Sequence, residues 1–142
     1  MEEKLKLENQ LCFPLYACSK EVIKKYKPIL DELDLTYTQY ITMMVLWEHG
    51  SINVKNLGDM LFLDSGTLTP LLKKLESKGY ITRNRDKNDE RNLIISITDS
   101  GKKLKDEAIC VPDKIGKCIC LTNEEAIELY RLLYKVLGKI GD

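Results

Sequence analysis

The 142-residue chain lacks several features that mark common protein classes. Its basic and acidic residues balance at 22 each, which argues against a protein that coats nucleic acid without sequence preference. No apolar run is long enough to span a membrane, and the N-terminal segment lacks the apolar stretch of a signal peptide. We therefore expect a cytoplasmic protein with no membrane partner.

Residues that bind metals or build thiol enzymes are also few. His49 is the only histidine, and the cysteines follow neither a C-x-x-C motif nor the usual structural-zinc spacing. The sequence therefore predicts no metal and no other cofactor, and it offers no obvious Cys–His pair for catalysis. We expect the protein not to be an enzyme, with a thiol peroxidase as the less favoured alternative.

Proline, glycine and serine form no cluster that would divide the chain, so we expect one domain over residues 1–142. Helical apolar spacing marks both ends, from about residue 7 to 34, where Pro14 and Pro28 leave a kink or a break open, and again after Thr122. These helices can pack on the chain's own core or against a second copy, and we favour a two-fold homodimer, the commonest oligomer. The C-terminal stripe is expected to be buried and comprises Ala126, Leu129, Tyr130, Leu133, Val136, Leu137 and Ile140.

The middle of the chain has the pattern of a helix-turn-helix. Thr36 and Asn53 are capping residues that open two helices. A third helix is expected over about 65–78, and Pro70 is compatible with it only in the first turn. The inward stripe of this third helix follows the i, i+3, i+4, i+7 spacing and comprises Leu68, Leu71, Leu72 and Leu75.

Two strands are predicted to follow that helix, at 80–85 and 93–97, around a polar hairpin tip. The fold class is therefore mainly α with a small β wing. We expect a winged helix-turn-helix DNA-binding core over 36–99, with 1–35 and 100–142 supplying the dimerisation helices.

This arrangement favours binding to double-stranded DNA at a pseudo-palindromic operator. The second helix of a helix-turn-helix normally enters the major groove, where hydroxyl groups contact base edges and lysines contact phosphates. Basic residues of the hairpin suit the minor groove and the neighbouring backbone. The residues expected to bind DNA are Ser65, Thr67, Thr69, Lys73, Lys74, Arg83, Arg85, Lys87 and Arg91.

Two segments resemble the MarR family of winged-helix regulators. Residues 63–76 are similar to its recognition helix, and Asp89-Glu90-Arg91 matches its D-x-R wing signature. The resemblance implies that Arg91 is the wing arginine and that Asp89 orients it through a salt bridge. It also implies a DNA-binding transcriptional regulator, most often a repressor.

Residues 7–13, 25–28 and 36–40 are most similar to the organic-hydroperoxide-sensing OhrR-type and the SarZ-type members of that family. In these regulators peroxide oxidises a cysteine near the N-terminus, and DNA is released. The corresponding residue here is Cys12. The tyrosines implied to hydrogen-bond its sulfur are Tyr26 and Tyr37, with Tyr16 nearby.

Such a thiol can reach several alternative oxidised states, and the sequence does not choose among them. A sulfenic acid forms first, and it then condenses with another thiol or is oxidised further. Some relatives use a second cysteine near the C-terminus of the other subunit, for which Cys118 and Cys120 are the possible resolving residues. Cys18 is expected to be a small core residue of the first helix. In an alternative within the family, the regulator binds a small phenolic ligand and Cys12 is incidental.

Overall fold

The computed structural model describes residues 2–138, which form seven α-helices and one three-stranded antiparallel sheet. Two 3-10 turns, Glu3–Leu5 and Leu7–Asn9, come first. The helices are α1 Cys12–Asp31, α2 Tyr37–His49, α3 Val54–Leu61, α4 Ser65–Ser77, α5 Asp99–Ala108, α6 Val111–Gly116 and α7 Asn123–Leu137. The strands are β1 Ser51–Asn53, β2 Ile81–Arg85 and β3 Leu93–Ile97. The predicted class, mainly α with a small β wing, is confirmed.

The first helix is shorter at both ends than the apolar spacing predicts. It begins at Cys12, which makes Pro14 its third residue. A helix that began at residue 7 would place Pro14 in its interior, where the ring removes a hydrogen bond and clashes with the preceding turn. At the other end α1 stops at Asp31, and Asp34 adopts a left-handed φ of 54°.

Both predicted caps around the helix-turn-helix are present. The Thr36 hydroxyl accepts from the Gln39 N–H at 3.3 Å, and the Gln39 Oε1 accepts from the Thr36 N–H at 3.0 Å. The Asn53 side chain accepts from the Asn56 N–H at 2.8 Å at the start of α3. These bonds satisfy backbone donors that a helix N-terminus leaves unpaired.

The core lies between α2, α3, α4 and the sheet. The leucine stripe of α4 faces inward as predicted, and the side chains that are almost completely buried there include Met43, Leu46, Leu57, Leu68, Leu72, Leu75, Ile81 and Ile95. Leu30 of α1, Leu104 of α5 and Val111 of α6 belong to the same cluster. The buried core therefore continues beyond residues 36–99.

The sheet has one strand that the sequence pattern did not predict. β1 pairs with β3 antiparallel, and β3 pairs with β2, so that β3 lies in the middle. β1 has only three residues, which is too short for an alternating pattern to identify. β1 extends the wing sheet toward α3.

The C-terminal helix does not bury its apolar stripe within the chain, so that expectation is wrong for a single copy. None of the residues of α7 is buried, and Val136 is 72% exposed. The predicted Thr122 capping box at its start is present. Ile140, the last residue assigned to the stripe, lies outside the described residues. The short helix α6 was not predicted.

Candidate nucleic-acid interface and thiol site

The outer face of α4 is presented to solvent as the sequence predicts. Asp64 caps the helix, because its side chain accepts from the Thr67 N–H at 2.8 Å. This hydrogen bond lowers the pKa of the Asp64 carboxyl. Thr67, Thr69, Lys73 and Lys74 are all exposed. The helix is thus fixed by its leucines and presents hydroxyl and ammonium groups on its solvent-facing side.

Pro70 is the sixth residue of α4 and therefore lies beyond the first turn, where the sequence pattern had predicted it. Its ring leaves the Gly66 carbonyl without its usual helical donor. Both residues are exposed, so water can satisfy that carbonyl. In the same turn Thr69 donates its hydroxyl to the Ser65 carbonyl at 2.8 Å.

The wing arginine is held in a fork as the resemblance implies. Arg91 Nε and Nη2 donate to the two carboxylate oxygens of Asp89, each at 3.0 Å. The Asp89 carboxylate also accepts from the Arg91 N–H at 3.1 Å. These contacts lower the pKa of Asp89 and raise that of Arg91. The Arg91 side chain is nevertheless 90% exposed, so the pair orients the guanidinium without hiding it.

Arg83 and Arg85 share a strand face, but the structure gives them different surroundings. They lie on the face of β2 that also carries the buried Ile81. Arg83 therefore lies beside α4, where its Nη2 contacts Glu76 Oε1 at 2.9 Å and its side chain is only 24% exposed. This salt bridge lowers the pKa of Glu76. Arg83 joins α4 to the wing, whereas Arg85 at the end of the strand stays exposed.

A groove joins the start of α4 to the wing. Ser65 lines it on one side, and Arg85 and Arg91 line it on the other. Lys55 of α3 also lines this groove, and the sequence analysis missed it. Its only sequence signal was its position two residues after the Asn53 cap. Lys87, the remaining predicted wing contact, is exposed in the hairpin beyond this groove.

Cys12 is the first residue of α1 and is exposed. Tyr16 lies one turn later and is exposed as well. Cys118 and Cys120 are also exposed, beside the start of α7. Cys18 was expected in the core, but it is exposed too.

The structure does not bring the predicted phenols to the thiol of the same chain. Tyr26 is fourteen residues from Cys12 on one continuous helix, or about 21 Å at the rise of an α-helix. Tyr37 lies with Tyr26, their ring centroids 4.8 Å apart. Any hydrogen bond from these tyrosines to a Cys12 sulfur must therefore come from a second copy of the chain.

The tyrosine pair is set up to donate hydrogen bonds. Burial, reinforced by the neighbouring Tyr37 and Tyr40, raises the pKa of Tyr26 to about 12. Burial likewise raises the pKa of Tyr37. Both phenols consequently keep their protons throughout the physiological pH range.

Residues 2–138 contain no cluster of three or more histidine, cysteine or acidic side chains that could hold a metal ion, and none of their helices could cross a membrane.

Comparison with known proteins agrees with this geometry. Residues 24–108 match the family described as transcriptional regulator SarA/Rot. The organic hydroperoxide resistance transcriptional regulator of Bacillus subtilis is 49% identical over 140 residues, which cover 96% of this chain and 95% of that protein. The HTH-type transcriptional regulator SarZ of Staphylococcus saprophyticus is 49% identical over 140 residues, which cover 98% of this chain and 96% of SarZ.

Solved structures of AbfR, a protein of Staphylococcus epidermidis, are similar along almost the whole chain. Reduced AbfR bound to DNA has a TM-score of 0.77 and 36% identity, covering 99% of this chain and 98% of AbfR. Overoxidised AbfR bound to DNA also has a TM-score of 0.77 and 36% identity, covering 96% of each chain. The disulfide form has a TM-score of 0.64 and 37% identity, covering 96% of this chain and 92% of AbfR.

These matches confirm the predicted resemblance to OhrR-type and SarZ-type proteins, whose named members are transcriptional regulators and not enzymes. The conformation of the chain is nearer to the two DNA-bound forms of AbfR than to its disulfide form. The chain belongs to the SarA/Rot family of transcriptional regulators and has the winged helix-turn-helix fold of the MarR-type regulators.

Proposed function

We propose that this protein is a homodimeric, cytoplasmic repressor that binds a pseudo-palindromic operator and leaves it when an organic hydroperoxide oxidises Cys12. One observation carries the redox part. Cys12 is exposed at one end of α1, whereas the neutral phenol of Tyr26 lies too far along the same helix to reach it, and Tyr37 of α2 packs beside Tyr26. A complete thiol site therefore needs two copies, and its state depends on how the copies are arranged.

The exposed apolar surface at both ends of the chain supports the dimer. Leu11 is 84% exposed before α1, and Val136 is 72% exposed on α7. Apolar patches of this kind on a soluble protein mark interaction surfaces. We infer that the terminal segments of two copies cover each other and place the α4 helices for two half-sites about one helical turn of DNA apart, roughly 34–36 Å.

DNA recognition follows from the groove and the outer face of α4. Ser65, Thr67 and Thr69 would contact base edges or phosphates in the major groove, and Lys73 and Lys74 would neutralise phosphates. Arg91, oriented by Asp89, would enter the adjacent minor groove, with Arg85 and Lys87 on the flanking backbone. Arg83 has a different role, since its charge is already neutralised by Glu76.

The oxidation begins with the Cys12 thiolate. It attacks the terminal peroxide oxygen, so that an S–O bond forms as the O–O bond breaks, and the alkoxide leaves as an alcohol after taking up a proton. The sulfur is oxidised by two electrons to a sulfenic acid and the hydroperoxide is reduced. A second thiol can then form a disulfide with release of water. Because overoxidised AbfR is described on DNA, we favour the disulfide as the released state, with Cys118 or Cys120 of the second copy as the resolving thiol.

A gel-shift titration on the DNA upstream of the protein's own gene, with and without cumene hydroperoxide, tests this function. We expect Cys12→Ser to keep its DNA affinity and to lose the peroxide response, whereas the matched variant Cys18→Ser keeps both. Loss of an intersubunit disulfide on a non-reducing gel in Cys118→Ser or Cys120→Ser would identify the resolving thiol. Continued peroxide-dependent release by Cys12→Ser would refute the sensor.

A further inference from the structure

The C-terminal end of α4 is tied to the loop that connects α1 to α2. The Lys78 ammonium group donates to the main-chain carbonyl of Asp34. It also donates to Gln39 Oε1 at 3.3 Å and lies 3.5 Å from the Asp34 carboxylate. Only 23% of the Lys78 side chain is exposed, whereas the outward lysines Lys73 and Lys74 are exposed. Lys78 therefore points into the protein and not toward DNA.

The acceptors of Lys78 belong to the segment 34–39, which also carries Tyr37 of the tyrosine pair. Gln39 Oε1, which receives the Lys78 bond, also closes the capping box with the Thr36 N–H at 3.0 Å. Tyr37 lies between Thr36 and Gln39, as the first residue of α2, and its ring packs against Tyr26 with the two ring planes tilted by 58°. A displacement of Tyr37 must therefore shift the oxygen atoms that hold Lys78.

The last turn of α4 also forms a salt bridge with the wing. Glu76, two residues before Lys78, holds Arg83 of β2 at 2.9 Å. β2 pairs with β3, and the hairpin between them carries Arg91. The end of α4 thus connects the loop at Tyr37 on one side with the wing on the other, while its beginning faces the DNA-binding groove.

We propose that Lys78 is a positioning residue that couples the thiol site to the DNA-binding surface, through its bonds to Asp34 and Gln39. The inference rests on the proposed function, in which the state of Cys12 changes the contacts of Tyr26 and Tyr37. When those contacts change, the first turn of α2 moves, and Lys78 transmits the movement to α4 and, through Glu76, to the wing. An allosteric signal needs such a physical element, whose arrangement both sites bias.

Replacement of Lys78 can separate coupling from folding. Lys78→Met keeps the aliphatic stem, and Gln39 Oε1 retains its bond from the Thr36 N–H, so the capping box survives. Lys78→Arg keeps the charge and the reach. Asp34→Asn removes only the ionic contact of a side chain that is 93% exposed. If Lys78→Met does not fold, Asp34→Asn replaces it as the test of the coupling. Lys74→Met is the matched control, since it removes an outward lysine from the same helix.

The experiment measures the dissociation constant for operator DNA before and after cumene hydroperoxide, with the extent of Cys12 oxidation determined by mass spectrometry. The ratio of the two constants is the coupling. We expect Lys78→Met to reduce this ratio at least about fivefold at equal Cys12 oxidation, with reduced-state affinity little changed. Lys78→Arg should restore most of the ratio, and Asp34→Asn should reduce it by less. Lys74→Met should weaken both states in parallel and leave the ratio unchanged.

The two proposals fail in different ways. A wild-type protein that does not respond to peroxide overturns the proposed function and the coupling together. A wild-type protein that responds, beside a Lys78→Met variant with the wild-type ratio, overturns only the coupling. A Lys78→Met variant that loses affinity equally in both states would assign Lys78 to DNA binding or to stability. This outcome also overturns the proposed coupling.

Discussion

The helix-turn-helix region and the terminal helices use their apolar residues in opposite ways. Between α2 and β3 the core leucines and isoleucines are buried within one chain, and Leu46, Leu57, Leu75 and Ile95 have no exposed surface. On α7 an equally regular stripe has no buried member. One chain is therefore sufficient to build the helix-turn-helix core, whereas the apolar stripe of α7 needs a second molecule to cover it.

The largest effect is expected where the second copy covers α7. Leu129→Glu places a carboxylate in the apolar stripe of this helix, where the wild-type side chain is 43% exposed in one chain. An unpaired buried charge costs about 3–5 kcal/mol, and a two-fold interface contains it twice. We expect sedimentation velocity to show a monomer that has lost tight operator binding.

Lys135→Glu is the matched control for this change. It adds the same carboxylate to the polar stripe of α7, where Glu124, Glu128 and Arg131 follow the same helical spacing. We expect this variant to remain dimeric. If both variants stay dimeric at micromolar concentration, α7 is not at the interface and the contrast between the two regions loses its explanation.

The next largest effect belongs to the core. Leu72 on α4 is 1% exposed, and Leu72→Ala should lower the free energy of unfolding by about 2–5 kcal/mol, because it leaves a cavity. Chemical denaturation at several protein concentrations checks this value. The loss should be present at every concentration, whereas the effect of Leu129→Ala should depend on concentration. A concentration-dependent loss in Leu72→Ala would place Leu72 in an intermolecular contact.

A smaller effect is expected at the wing, where folding and binding can be separated. Arg91→Ala should weaken operator binding by about 1–3 kcal/mol, while its thermal midpoint stays at the wild-type value because the side chain is 90% exposed. Asp89→Asn should lose less affinity, since it removes the orienting contact and keeps the guanidinium. Isothermal titration with the operator measures both, and an unchanged affinity in Arg91→Ala would remove this arginine from the interface.

The smallest effect concerns Tyr26, which lies on α1 between the two regions. Its pKa in the folded protein is about 12, above the ordinary value of 10.0, because burial favours the neutral phenol. The stabilisation it supplies is therefore complete below pH 10 and disappears as the pH rises toward 12. Denaturation across this interval should show a shallower loss of stability in Tyr26→Phe than in the wild type. An identical pH slope would contradict the assigned burial.

The DNA-binding half of the molecule was largely predictable, because its signals are local. The leucine spacing of α4, the caps at Thr36 and Asn53 and the alternation of β3 each act within a few residues. The start of α1 at Cys12 was missed because the apolar spacing continues back through the 3-10 turns and therefore does not mark where the helix begins. β1 was missed because three residues carry no period.

The sequence by itself determined the helix-turn-helix, the wing and the outward face of α4, since helix and strand periods record which side of each element is apolar. Only the tertiary structure decided that Arg83 is held by Glu76, that Lys78 reaches Asp34, and that Tyr26 cannot meet Cys12 of the same chain. Such contacts join residues far apart in sequence or depend on the geometry of a whole helix, and local pattern does not encode them. Local pattern likewise does not encode the surface that would bury the apolar stripe of α7, since no residue of that helix is buried in a single chain.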